Sequence, residues 1–196
     1  SFQAISATGA RPVACDIERD TLCLNWRDAQ SRITERTKAI MPVFYSGGVG
    51  GLRDIYAMAK DNGLRVIEDA AHAFGSVYQG FKVGGKGDIS CFSFDGIKNI
   101  TSGEGGCIVT TDEQVLNAVR DSRLLGVQND TQMRANGKRS WSFDVKRQGW
   151  RYHMSDIMAA IGIVQLKRYS ELALKRKKIA KIYDLLLAKD EYISPL

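Results

Sequence analysis

Short β-prone runs alternate with segments of helical periodicity along most of the chain. Strands are predicted at 11–17, 37–45, 65–69, 89–94 and 107–111, helices at 25–33, 52–62 and 112–126, and a hairpin at 77–83. Because strands that alternate with helices favour parallel pairing, the pattern predicts an α/β fold. We expect a mainly parallel sheet with flanking helices.

Residues with known preferences for helix ends and turns mark the boundaries of these elements. Asn25 is a plausible N-cap, Gly63 a plausible residue after a helix end, and Gln79-Gly80 a hairpin turn. Pro42, inside its predicted strand, indicates an edge position or a local irregularity.

The last part of the chain differs from the rest. Residues 127–148 are polar with few apolar anchors and are predicted to form a long loop. From Ser155 to about Ala188 the apolar spacing is helical, with Ser155 as N-cap and Asp156 in the first turn. This spacing predicts one long helix, or two nearly collinear ones.

Charge and composition narrow the class of protein. The 196 residues are 44% hydrophobic and 26% charged, with a formal net charge of +6, which is typical of a globular domain. Much of the basic excess lies at 166–183, on the polar side of the predicted helix, and favours a solvated face. No nucleic-acid motif accompanies it, and no apolar run is long enough to cross a bilayer. We therefore expect neither a nucleic-acid nor a membrane partner, although an anionic small substrate would suit the charge.

The cysteines and histidines indicate neither disulfides nor a metal site. Cys15, Cys23, Cys91 and Cys107 are scattered without C-x-x-C spacing, and three of them fall in apolar stretches. This pattern favours reduced, buried thiols in a cytoplasmic protein. The chain has two histidines, which are too few for a metal site without a carboxylate cluster.

Four residues between 69 and 98 form the candidate functional constellation. Asp69 ends a predicted strand and is followed by His72; Ser93 lies in the next apolar strand, and Lys98 comes five residues later. Ligands of open α/β sheets gather at the carboxyl ends of strands. An isolated lysine in a loop is usually only solvated, so the interpretation depends on the whole set.

Pyridoxal phosphate chemistry uses these residue types. A lysine amine holds the cofactor covalently and later moves a proton. A carboxylate beside the pyridine nitrogen favours the protonated ring, and hydroxyl and backbone N–H groups hold the phosphate. Lys98, Asp69 and Ser93 offer these groups.

Several motifs in the same order resemble the DegT/StrS family of sugar aminotransferases. They are EDAAH at 68–72, GDISCFSF at 87–94 and KNITSGEGG at 98–106, followed by YHMSDIMAAIGIVQLKR at 152–168. Lys98 lies 29 residues after Asp69, and Ser93 lies 24 after it; both spacings match the family. The resemblance covers nearly the whole chain.

The resemblance implies an aspartate-aminotransferase-like fold and a role for each candidate residue. Lys98 matches the catalytic lysine that binds pyridoxal 5'-phosphate, Asp69 the acid on the pyridine nitrogen, His72 a residue beside the ring, and Ser93 a phosphate ligand. The implied reaction moves an amino group, with glutamate as the expected donor, onto the keto group of a nucleotide-linked sugar, for lipopolysaccharide or polysaccharide biosynthesis. The family acts as homodimers whose active sites are completed by the neighbouring subunit.

The chain departs from the family at Arg151 and in its extent. Where the family usually has an asparagine that reaches the cofactor phosphate of the partner subunit, this chain has Arg151, which could still clamp a phosphate or mark a changed substrate. Family members are about twice as long. We therefore expect a fragment, with residues 1–154 forming a partial cofactor-binding large domain and residues 155–196 a long connecting helix that leads toward a small domain.

Three alternatives stay open at the level of sequence. A Rossmann-type dinucleotide site would use Gly48 and Gly50, with Asp69 21 residues beyond Gly48, but Arg53 occupies the third glycine position. A non-catalytic or regulatory remnant could keep the fold without the activity. Some relatives dehydrate sugars, but they lack the lysine, so Lys98 favours amino transfer.

Overall fold

The computed structural model describes residues 1–128, 136–137, 144–188, 190 and 192–193. The helices are α1 (Phe2–Ser6), α2 (Trp26–Ser31), α3 (Leu52–Asp61), α4 (Glu113–Ser122) and α5 (Asp156–Leu187), with a short 3-10 turn at Tyr45–Gly47. The strands are β1 (Ala39–Ile40), β2 (Arg65–Asp69), β3 (Val77–Tyr78), β4 (Phe81–Lys82), β5 (Ile89–Ser93) and β6 (Gly106–Thr110).

The central sheet has the order β1-β2-β5-β6. The β1–β2 and β2–β5 pairs are parallel, whereas β6 runs antiparallel to β5. The prediction of a mainly parallel α/β sheet is confirmed. In the β2–β5 register Asp69 lies opposite Cys91, so both strands end at the same edge of the sheet.

One hydrophobic core joins α3 to the sheet. The apolar residues of α3 recur at helical spacing, and Ile55, Met58 and Ala59 are buried against Val66 of β2 and Ile40 of β1. The helix ends at Asp61, and Gly63 adopts a φ of +64°, a left-handed conformation that favours glycine. The predicted end of this helix is therefore confirmed.

A second core lies under the carboxyl ends of the strands. Phe44, Ala70 and Ala73 are fully buried, and Phe92 of β5 packs with them. Phe74 lies beside this cluster and makes edge-to-face contacts with Phe92 and Phe94. The floor beneath the candidate residues is thus apolar and tightly packed.

The predicted hairpin and helix caps are also confirmed. β3 and β4 pair antiparallel around Gln79 and Gly80, both at positive φ, as the primed turns of two-residue hairpins require. The Asn25 side chain accepts hydrogen bonds from the first-turn amides of α2, and the Ser155 hydroxyl accepts one from Met158 N.

The predicted strand at 11–17 is wrong. The structure has only an isolated antiparallel bridge there, between Ile17 and Leu24. Asp16 N donates to the Asp28 carboxylate, and Ile17 N donates to the Asp16 side chain. Carboxylates therefore take the backbone amides that a strand ladder would use.

Two other elements are shorter than predicted. The strand expected at 37–45 is reduced to β1 at the edge of the described sheet, as Pro42 indicated, and Val43 adds one bridge to Asp69. The helix expected at 112–126 ends at Ser122, where the chain turns into a bridge between Leu124 and Arg151. Most of the predicted loop at 127–148 lies outside the described residues.

The cysteines are all free, but their burial varies more than predicted. Cys23 is buried, Cys15 and Cys91 are partly buried, and Cys107 is exposed. The prediction of buried thiols therefore holds fully only for Cys23.

The predicted long helix is confirmed as α5, a single helix of 32 residues. None of its residues is buried, and Ile157, Ile161 and Val164 are exposed on its first half. Within the described ranges, no helix combines the length and apolar character needed to cross a membrane.

Replacing Ile55 tests the α3 core. Ile55 is 1% exposed, so Ile55→Ala should lower the free energy of unfolding by about 2–5 kcal/mol, measured by denaturant titration. The control is Ile97→Ala, since Ile97 is 90% exposed and its loss should change stability by less than about 0.5 kcal/mol. Equal effects of the two substitutions would contradict the described packing.

Candidate functional site

Two of the predicted site residues end neighbouring parallel strands. Asp69 is the last residue of β2 and Ser93 the last of β5. Since Asp69 pairs with Cys91, Ser93 lies two residues farther along its strand, or about 7 Å. Both side chains are partly buried, and the edge they share lies above the second core.

The Asp69 carboxylate is held by two donors. Its Oδ1 accepts a hydrogen bond from Ala71 N at 3.2 Å, and its Oδ2 accepts one from the Ser1 hydroxyl at 2.5 Å. The backbone of Asp69 is bonded to Pro42 O and Phe44 N. The carboxylate therefore has a fixed orientation, and its oxygens keep lone pairs for a further donor.

Lys98 lies in a tight turn that follows β5. Lys98 N donates to Asp95 O at 3.1 Å, and Ile97 N donates to the Asp95 side chain at 2.9 Å. Ser102 N closes the turn by donating to Phe94 O at 2.9 Å. The backbone around Lys98 is therefore set by a hydrogen-bonded turn.

The amine of Lys98 is available for chemistry. Its side chain is partly buried and has no hydrogen bond or ion pair with any residue that the structure describes. The Cys91 thiol, opposite Asp69 in the sheet, is a poor competing nucleophile. Burial raises the pKa of Cys91 to about 11, and the charge of Asp69 adds to this effect. Cys91 is thus protonated at neutral pH, where a thiol is a weak nucleophile.

Ser93 retains a hydroxyl proton for a ligand. Its Oγ accepts a hydrogen bond from Asp95 N at 3.3 Å, which uses a lone pair and leaves the O–H group able to donate. The side chain stands where the strand gives way to the Lys98 turn, so Ser93 and Lys98 belong to one continuous segment.

His72 lies beyond the end of β2, in the turn that begins after Asp69. Its side chain is exposed and packs edge-to-face with Tyr45 at 6.1 Å between ring centroids. It lines a shallow cleft of about 220 Å³ together with Asn99 and Tyr169. The structure therefore places His72 in the same region as the turn that carries Lys98.

Arg151 is not brought to the other four residues by any described contact. Its backbone forms a bridge with Leu124, and its side chain is exposed. No hydrogen bond or ion pair of this side chain occurs within the described ranges. Among the described residues, nothing occupies the Arg151 side chain.

The residues at the strand ends fit the pyridoxal phosphate that the resemblance implies. Asp69 has an oriented carboxylate of the kind that a protonated ring nitrogen would need, Lys98 has an amine without a partner among the described residues, and Ser93 has a hydroxyl that could donate to a phosphate oxygen. A cation beside the Asp69 carboxylate would be stabilised by charge-assisted hydrogen bonding. The donor set matches the charges and hydrogen-bonding groups of the cofactor.

Sequence reasoning missed three residues of this region. Ser1 contacts Asp69 across 68 positions of the chain, and Tyr169 contacts Phe74 O across 95. Neither pair leaves a periodic signal in the sequence. Asn99, which donates to Phe74 O, could have been suspected only from its place next to Lys98.

Comparison with known proteins relates the chain to one family of aminotransferases. Residues 1–196 match the model of the DegT/DnrJ/EryC1/StrS aminotransferase family. The uncharacterized protein MJ1066 of Methanocaldococcus jannaschii is 43% identical over 175 residues, which are 89% of this chain and 45% of that protein.

Two solved structures show the same fold. Helicobacter pylori PseC, an aminotransferase involved in the biosynthesis of pseudoaminic acid, has a TM-score of 0.90 and 32% identity over 99% of this chain and 50% of its own. The putative sugar aminotransferase Spr1654 of Streptococcus pneumoniae, in its PLP-form, has a TM-score of 0.84 and 31% identity over 95% of this chain and 50% of its own.

The chain spans about half the length of these relatives. Its sheet, strand ends and long helix align with solved aminotransferases over nearly all of its own length. Since the family model matches from the first residue to the last, the chain belongs to the DegT/DnrJ/EryC1/StrS aminotransferase family.

Proposed function

We propose that the intact protein is a pyridoxal-phosphate-dependent aminotransferase that moves an amino group, from glutamate, onto the keto group of a nucleotide-activated sugar. One observation carries this proposal. Asp69 and Ser93 end adjacent parallel strands at one edge of the sheet, and the turn after Ser93 carries Lys98, whose amine has no partner among the described residues. Similarity to PseC and to the putative sugar aminotransferase Spr1654 supports the sugar as acceptor.

Each residue has a defined task in this proposal. When bound, pyridoxal phosphate supplies an electron sink for the substrate carbon. Asp69 keeps the ring nitrogen protonated through its negative charge. Lys98 would hold the cofactor through its Nζ atom and, when not attached to it, would move a proton as a general base and acid.

Binding and orientation fall to the remaining residues. The Ser93 hydroxyl would donate a hydrogen bond to the phosphate, and the buried aromatic residues below the strand ends keep the floor of the site free of water. His72, which lies beside the turn that carries Lys98, would contact the cofactor near its pyridine ring. Because the net charge is +6, the surface attracts anionic substrates such as glutamate and sugar nucleotides.

We further propose that the protein acts as a cytoplasmic homodimer. The exposed apolar side chains of the first half of α5 form a surface that water solvates poorly, and a second copy would cover it. Arg151 of one subunit would then donate to the cofactor phosphate of the other. In this arrangement α5 leads from the cofactor-binding domain toward a small domain.

The proposed reaction is tested with the intact protein, glutamate and a panel of nucleotide-linked keto sugars. We expect 2-oxoglutarate and an amino sugar to form in equal amounts. A different outcome is that an amino acid forms from a panel of keto acids while no amino sugar forms from any sugar nucleotide. That result would refute the sugar as acceptor and would still show amino transfer. Absence of any amino transfer, with cofactor bound, would favour the non-catalytic alternative.

Lys98→Ala should remove the absorbance band of the lysine-bound cofactor and nearly all turnover. Loss of the proton carrier alone costs about 10²–10⁴-fold, and loss of the covalent attachment adds to it. The control is Lys86→Ala, which removes a lysine that lies over the Phe81 ring instead. A Lys98→Ala protein that keeps its band after dialysis would remove Lys98 from this role.

Asp69→Asn should leave the cofactor attached and slow amino transfer. The amide keeps the shape and one acceptor oxygen but loses the charge, which lowers the pKa of the ring nitrogen by about 1–3 units. The single-turnover rate with glutamate should therefore fall by about 10–10³-fold. Asp61→Asn, at the exposed end of α3, makes the same change on the surface and should have no effect; near-normal rates for both variants would refute the role of Asp69.

Mixing two variants tests whether Arg151 acts across a dimer. Arg151→Gln should weaken cofactor retention, because a charge-assisted hydrogen bond of about 1.5–3 kcal/mol is lost. A heterodimer of Lys98→Ala and Arg151→Gln subunits would carry one intact site if Arg151 serves its neighbour. At limiting cofactor, recovery of activity on mixing is expected; no recovery, with subunit exchange verified by mass, would place Arg151 in its own subunit's site or outside any site.

A further inference from the structure

The carbonyl of Phe74 joins two distant parts of the chain. It accepts a hydrogen bond of 2.8 Å from the Asn99 side-chain amide and one of 2.6 Å from the Tyr169 hydroxyl. Asn99 directly follows Lys98, whereas Tyr169 lies on α5. One backbone oxygen, two residues after His72, therefore connects the Lys98 turn to the long helix.

A third contact lies beside these two. The Arg176 guanidinium donates to the backbone oxygen of Asn99 at 3.0 Å. Asn99 is thus bonded on its side chain to Phe74 and on its backbone to α5. Its Oδ1 is buried without a partner among the described residues, so the bond to Phe74 is what fixes the orientation of the amide.

The contacting residues of α5 recur every seven residues. Gly162, Tyr169 and Arg176 drift by only about 20° per seven residues on a straight helix, so all three lie on one face. The α-carbon of Gly162 approaches Ser102, at the end of the Lys98 turn: a Cβ at Gly162 would meet Ser102 Cβ at 3.4 Å. This face of α5 therefore runs beside the second half of the turn, from Asn99 to Ser102.

The packing around Tyr169 leaves little freedom. The Tyr169 ring packs edge-to-face on Phe74 at 5.1 Å between centroids, and a Cβ at Gly75 would lie 2.0 Å from the Tyr169 hydroxyl oxygen. Gly75 has a φ of +83°, which other residues rarely adopt. The hydroxyl reaches the Phe74 carbonyl because position 75 has no side chain.

We propose that Asn99, Tyr169 and Arg176, here called the α5 clamp, are positioning residues that hold the Lys98 turn against α5. Through them the placement of α5 sets the placement of the Lys98 amine. This inference rests on the proposed function, because it gives the clamp a role in the amino transfer that Lys98 performs. Any change in the contacts of α5, at its exposed apolar face or beyond its end, would be transmitted to Lys98.

The clamp acts on rate rather than on substrate affinity. A lysine that carries a proton between two carbon atoms must stay aligned with both, and a misplacement of about 1 Å can cost 10²-fold in rate. Binding of the amino donor does not depend on the alignment of Lys98 once the donor has displaced it. Loosening the clamp should therefore lower kcat and leave KM for the amino donor nearly unchanged.

Tyr169→Phe tests the clamp in the intact, cofactor-loaded protein. The substitution keeps the ring that packs on Phe74 and removes only the hydroxyl. We expect kcat to fall by about 3–10-fold, KM to change by less than about twofold, and amide hydrogen exchange at residues 95–103 to rise by about 2–10-fold, as the loss of one neutral hydrogen bond implies. The matched control is Tyr183→Phe, which removes a hydroxyl from an exposed tyrosine on the same helix and should change neither quantity.

A second variant tests the clamp at its other donor, Asn99. Asn99→Asp preserves the shape, removes the amide donor and places a carboxylate against the Phe74 carbonyl, so its effects should exceed those of Tyr169→Phe. Since both donors share one acceptor, the fold-changes of the double variant should not multiply.

Two results would overturn the clamp: wild-type kcat and wild-type exchange in both variants, or exchange that rises equally across the whole chain. The hydrogen exchange measurement also separates this inference from the proposed function. A wild-type protein that transfers no amino group would refute the proposed function, and the exchange rates at 95–103 would then decide whether the clamp holds the turn.

Discussion

The parallel pairing of β2 with β5 is the constraint on which the candidate site depends. Its register sets Asp69 opposite Cys91, so both strands end at one edge and the chain after β5 must turn above it. The antiparallel return through β6 pairs Ser93 with Gly106, which confines the Lys98 segment to a loop at 94–105 whose two ends are held together. A slip by one residue would move every side chain of β5 to the opposite face and separate Ser93 from Asp69.

Strand β2 carries two neighbouring acidic residues whose surroundings differ. Glu68 is buried on the other face of β2, where it accepts hydrogen bonds from the Tyr56 hydroxyl at 2.8 Å and from the Ser90 hydroxyl. The carboxylate of Asp69, on the face of the candidate site, accepts hydrogen bonds from Ala71 N and the Ser1 hydroxyl and from no other residue that the structure describes. The alternation of a strand thus assigns one carboxylate to a buried network and leaves its neighbour to meet a cation.

Local signals in the sequence were sufficient to predict the end of β2, the end of β5 to within one residue, and the starts of α2, α3, α4 and α5. Asp69 and Ser93 lie at or next to the point where an apolar run stops, Asn25 and Ser155 lie where helical periodicity begins, and periodicity is a property of neighbouring residues. The strand at 11–17 failed because the Asp28 carboxylate, twelve positions away, binds Asp16 N. The Ser1–Asp69 and Tyr169–Phe74 bonds depend on tertiary packing, which no local pattern encodes. The roles proposed for Lys98, His72 and Arg151 come from the resemblance and await experiment.

The central claim is that Lys98 is the residue to which the cofactor is attached. Reduction of the wild-type protein with borohydride in the presence of pyridoxal phosphate, followed by peptide mass mapping, tests it most directly. We expect one modified lysine, in the segment that contains residues 95–102, in stoichiometric yield. Modification of another lysine, or labelling scattered at low yield over the exposed lysines of α5, would contradict it.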